Sequence, residues 1–113
     1  MKYKIYLSGK ISGLSKKNYT ENFNIAERYV FSEDQFELIH DLIEIINPLD
    51  LKPFLGIKKY WCYMITDIYH LSKCTHIAVQ KNWIDSKGAF IEVFFAKFIF
   101  KIEVIYLRNH EKN

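Results

Sequence analysis

Apolar residues along this chain come in short runs and in helical stripes that alternate, and the two periods predict strands and helices in turn. Residues 3–8, YKIYLS, are β-branched and aromatic and stop at Gly9, the pattern of a short buried strand. The loop GKISGLSKKN follows, with two glycines and two serines. Phe23, Ala26, Glu27, Tyr29 and Val30 then recur at helical spacing, with Asn18 or Thr20 available to cap the first turn. In residues 32–41, SEDQFELIHD, Phe36 and Ile39 keep that period on to Leu42, which fits either a second short helix or an extension of the first.

Residues 43–48, IEIINP, predict a second buried strand ended by Pro48, and Pro53 and Gly56 make the next segment a loop. From Lys58 to Lys73 the spacing of Tyr60, Trp61, Met64, Ile65, Ile68 and Leu71 predicts a helix. THIAVQ is a third strand, KNWIDSKG a loop, residues 86–100 a last helix, and KIEVIYL a fourth strand before a polar tail.

Short apolar strands alternating with helices predict an α/β fold: an open, mostly parallel four-stranded sheet, doubly wound with helices on both faces in three layers, of flavodoxin- or Rossmann-like type. Right-handed crossovers place a crevice at the carboxyl ends of the strands. Three loops lie on that edge, after strands one, two and three.

The length of 113 residues fits one domain, residues 1–113. Half of the residues are hydrophobic and 26% are charged, which excludes a disordered chain. The net charge of +3 comes from scattered Lys and Arg, not a basic stripe, so no polymeric nucleic acid is expected, whereas a small phosphate-bearing molecule is easier to accommodate. Cys62 and Cys74 lack zinc-site spacing, and the apolar run of MKYKIYLSG stops too early for a signal peptide. The expected setting is therefore reduced and cytoplasmic, the host cytoplasm if the chain is phage-encoded, with both thiols buried and inert. No run approaches the ~18 apolar residues of a membrane span, so no membrane partner is expected. Tyr60, Trp61, Phe94, Phe95 and Phe98 exceed what one small core hides, so a homo-oligomer, dimer or higher, is expected.

The one acid in the apolar run of the last helix is Glu92. An ionised carboxylate is costly to bury without partners. Either Glu92 faces solvent on an amphipathic helix, or it faces the sheet with Ala89, Val93 and Ala96, which share its helical face. Asp67, within YMITDIYHL, is either a solvated acid or a second site carboxyl. Tyr6, near the end of strand one, either aims its hydroxyl at the crevice or fills the core.

Taken in order, KIYLSGKISG at the start, INP on strand two, Trp61, Tyr63, Met64, Asp67, Leu71 and Cys74 on the next helix, and NW..S.GA..E opening the last one resemble the nucleoside 2-deoxyribosyltransferase-like superfamily. The likeness is strongest to its short branch common in bacteria and their phages, and it covers nearly the whole chain. It implies that Tyr6, Ser8, Gly9 and the loop with Lys10, Ser12 and Gly13 bracket a nucleoside. It also implies that Asp67, eight residues before Thr75, serves proton transfer or sugar recognition, and that Glu92 is the nucleophile, with Ser86 and Gly88 in the loop that holds the sugar or a 5′-phosphate. Trp83 either stacks on a base or packs under its loop. The implied chemistry is N-glycosidic bond hydrolysis or 2-deoxyribosyl transfer, with no cofactor and no metal. The alternative is a non-catalytic binder of a nucleotide or nucleotide-derived signal, such as a phage sequestering protein.

Overall fold

The computed structural model describes residues 3–33, 36 and 40–108. Strands β1 (Tyr3–Ser8), β2 (Ile43–Ile46), β3 (His76–Val79) and β4 (Glu103–Tyr106) alternate with helices α1 (Lys16–Ser32), α2 (Tyr60–Ser72) and α3 (Lys87–Phe94). The sheet has the order β2-β1-β3-β4, and all of its pairings are parallel. That order reverses between β1 and β3, so the switch point where such folds bind ligands lies at the carboxyl ends of these two strands.

Side chains along β1 alternate between two cores, as the two-residue period requires. Ile5 and Leu7 join Phe23, Ala26 and Val30 of α1, with Ala78 and Ile105 beside them. Tyr6 points the other way, toward Leu71 of α2 and Val93 and Ala96 of the last helix. With a helix layer on each face, β3 is buried along its whole length, which is why it reads as an unbroken apolar run.

Several element ends differ from the expected ones. Helix α1 is capped by neither Asn18 nor Thr20. Ser15 is extended, and its hydroxyl accepts the Asn18 N–H at 3.1 Å, so the helix starts earlier, at Lys16. Strand β2 stops at Ile46, because the Asn47 side chain accepts the Leu49 N–H at 3.0 Å and Pro48 opens a 3-10 turn. The strand-three loop contains a 3-10 turn over Lys81–Asp85. The extension expected over 32–41 falls largely outside the described residues, as does the polar tail. Within the described residues, α1 ends at Ser32 and a 3-10 turn, His40–Leu42, leads into β2. The last helix widens into a π-helical turn over Phe95–Ile99, closed by the Ile102 N–H on the Ala96 carbonyl at 2.9 Å, with Lys101 left-handed at φ 54°. Cys62 and Cys74 are free and buried, and burial pushes the Cys74 thiol up to about 11. Among the described residues no helix is long and apolar enough to cross a membrane.

Candidate functional site

Two residues apart on β1, Tyr6 and Ser8 point to the same face, toward α3. Helix α3 is set in place by Ser86, whose hydroxyl accepts the Ala89 N–H at 3.2 Å. The small Ala89 packs inward, and one turn further the buried Glu92 lies over the end of β1. There the Tyr6 hydroxyl donates to Glu92 Oε2 at 2.5 Å and the Ser8 hydroxyl donates to Oε1 at 2.8 Å. From α2, Asp67 faces the same cavity as Glu92 and lies near enough for the two carboxyls to shift each other's titration. Three elements distant in sequence thus converge on one carboxyl pair.

The electrostatics follow from burial. Desolvation raises the Glu92 carboxyl above its ordinary range, the charge of Asp67 raises it further, and the Tyr6 and Ser8 hydroxyls pull it back. Asp67 is also raised to about 7, chiefly by burial, against the lowering effect of the neighbouring Glu92 and Tyr6. Two carboxyls this close titrate as a unit, and the pair retains a proton toward neutral pH. Burial and the same two acids raise the Tyr6 phenol, so it stays a neutral donor.

The pair faces a cavity of about 350 Å³, within the size range of small-molecule sites. Of the sequence-expected residues, Gly9, Ser12, Asp67, Ser86, Gly88 and Glu92 line it. Tyr6 and Ser8 meet it through Glu92. Lys10, Gly13 and Trp83 are not among the lining residues. The Lys10 N–H donates to Asn82 Oδ1 at 3.1 Å, which ties the first loop to the third. Gly13 takes a left-handed turn at φ 86°. Trp83 packs on the surface of α3, stacked on Phe90 at 5.7 Å between ring centres.

Some wall residues were not expected. Tyr60, Tyr63 and Met64 line the cavity. They stand seven, four and three residues before Asp67, so helical spacing counted back from the acid identifies them. Tyr19, in the first turn of α1, carries no such signal. Behind Gly9 lies Gln80, fully buried, whose carboxamide has no hydrogen-bond partner among the described residues. A Cβ on Gly9 would stand 2.4 Å from Gln80 Nε2, so only glycine fits there. None of the described lining residues is a lysine or arginine, and no group of three or more metal-ligating acids, histidines or cysteines gathers among the described residues.

A family model described as Domain of unknown function (DUF4406) matches residues 3–106. The chain belongs to this family. No curated protein compared with it matches. The DUF4406 match runs from the first residue of β1 to the last of β4, so Tyr6, Asp67 and Glu92 and the three elements that carry them all lie within the family's domain.

Proposed function

We propose that this DUF4406 domain binds a nucleoside or nucleotide and cleaves or transfers its N-glycosidic bond, with Glu92 as nucleophile and Asp67 as its acid partner. The observation that carries this reading is a carboxyl pair, Glu92 buried and Asp67 half-buried, facing one cavity, where burial pushes both above the ordinary carboxyl range. A singly protonated pair supplies a carboxylate and a carboxylic acid at once, the two groups that glycoside chemistry uses. Tyr6 and Ser8 donate to Glu92 and so favour its ionised form. A Glu92 oxygen attacks C1′ while the C1′–N bond breaks. The electron pair leaves with the base, and Asp67 gives that nitrogen its proton. The resulting glycosyl ester is then attacked at C1′ by water or a second base, Asp67 takes the incoming proton, and Glu92 is freed as carboxylate. In this reading Ser86 and Gly88, which line the cavity at the amino end of α3, hold the sugar or its 5′ substituent. The resemblance of the sequence to nucleoside 2-deoxyribosyltransferase-like proteins supports the same assignment.

One observation favours binding without turnover. Both Glu92 oxygens already accept a hydroxyl, which ties down the atoms that attack requires. The two readings separate when the protein is incubated with nucleosides, nucleoside monophosphates and NAD-type dinucleotides, released base being followed by chromatography and retained ligand by mass spectrometry. The enzyme reading expects base release that falls at least ~10³-fold in Glu92→Ala. Stoichiometric recovery of intact ligand, with no base released by the wild type, would establish the binder instead.

A further inference from the structure

The outward side of the α2–α3 layer carries two apolar stripes. On α2, Trp61, Ile65 and Tyr69 follow one another at four-residue steps and are 51, 45 and 59% exposed. On α3 and the π-helical turn, Phe90, Phe94 and Phe98 do the same at 53, 48 and 61%. Four-residue steps keep side chains on one helical face, and Phe94 and Phe98 touch, with ring centres 5.4 Å apart. The only acids of these helices, Asp67 and Glu92, turn inward to the cavity. No carboxylate therefore interrupts the stripes, and Lys73, one further four-residue step along α2, closes that stripe with its Nζ 5.5 Å from the centre of the Tyr69 ring.

We propose that this face docks a second copy of the chain about a two-fold axis beside Phe94, with the α3 helices antiparallel and Phe90 of each copy opposite Phe98 of the other. The area fits. Half-exposed aromatic and large aliphatic side chains offer roughly 100 Å² each, so six of them give about 600 Å² per copy, the lower bound of a specific interface before flanking residues are counted. The composition fits as well, an uncharged centre with a polar rim. Symmetry selects the occupant. An isologous contact needs a self-complementary patch, and the phenylalanine ladder extends four residues to either side of Phe94, so reversing it reproduces it.

The test combines sedimentation of the full chain with cysteine pairing. The wild type is expected to sediment as a dimer at tens of micromolar, and Phe94→Glu as a monomer with unchanged circular dichroism. Mild oxidation should link Phe94→Cys to itself, and should link Phe90→Cys to Phe98→Cys when the two variants are mixed. Because cysteine at these exposed positions leaves the core untouched, this second readout holds even if Phe94→Glu fails to fold. A wild-type monomer overturns the proposal, as does a dimer that persists in Phe94→Glu or fails to form the Phe94→Cys link. So does a monomer that binds vesicles of anionic lipid through this face.

Discussion

At the amino end of the sheet, β1 and β3 carry Lys4 and His76, and each faces an acid on the neighbouring strand. Lys4 Nζ lies 3.7 Å from Glu44, and His76 Nε2 lies 2.9 Å from Glu103. At the carboxyl end the same two strands lead to Ser8 and Gln80, with Glu92 and Asp67 above, and no lysine or arginine among the described residues lines the cavity there. The amino-end pairs are partly exposed and cross-strand, the ordinary way for a sheet to satisfy charge. At the carboxyl end Glu92 is buried and held by two hydroxyls with the half-buried Asp67 beside it, a costly arrangement of the kind that gathers at functional sites. One sheet thus separates an end of cross-strand ion pairs from the end that carries the proposed chemistry.

The largest change in stability should come from Gly9→Ala. The new methyl has to displace the Gln80 carboxamide from a fully buried position, and a loss of about 3 kcal/mol is expected in urea unfolding. A loss within error would show that the carboxyl end is loosely packed and break the contrast.

Next is the pH dependence. Carboxyls whose folded pKa is raised hold protons that the unfolded chain has lost, so their contribution to stability declines as pH rises from about 4, the unfolded carboxyl value, through the raised folded values of about 7 for Asp67 and about 8 for Glu92. The wild type should therefore become less stable between pH 5 and pH 8, and Glu92→Gln should make that slope clearly shallower, leaving the part due to Asp67. An equal slope in both proteins would mean that the pair is not proton-sharing.

A smaller effect of opposite sign is expected from Gln80→Met. It removes two unpartnered buried polar atoms and should stabilise the chain by about 1 kcal/mol. A loss of ligand affinity in this variant would give Gln80 a role in the site. At the amino end, Glu44→Gln breaks a half-exposed ion pair and should move stability by less than about 0.5 kcal/mol.

The sequence exposed the chemistry unevenly, for physical reasons. Helical periodicity reports which residues share a face, so the company of Ala89, Val93 and Ala96 offered an inward-facing Glu92 beside a solvent-facing one, and the strand and helix order pointed to the sheet's parallel topology. Periodicity does not report which residues meet across the sheet. The convergence of Tyr6, Ser8, Asp67 and Glu92 depends on the strand order and on how far each helix slides over it. Loops carry no period at all. Lys10, Gly13 and Trp83 belong to the expected loops, yet turn geometry and the stacking on Phe90 keep them out of the cavity wall. Gln80 gave no signal, because its close packing against Gly9 joins loops that follow two different strands. The π-helical turn was hidden for the same kind of reason, since the apolar spacing through Phe94 and Phe98 suits an ordinary helix equally well.

The central claim is that Glu92 attacks an anomeric carbon. The most direct measurement is acid quench of the protein during turnover of a nucleoside it cleaves, followed by peptide mass mapping. A glycosyl ester on Glu92, absent in Glu92→Gln, is the expected result. Base released at the full rate with the ester on another residue, or release that survives intact in Glu92→Gln, would contradict it.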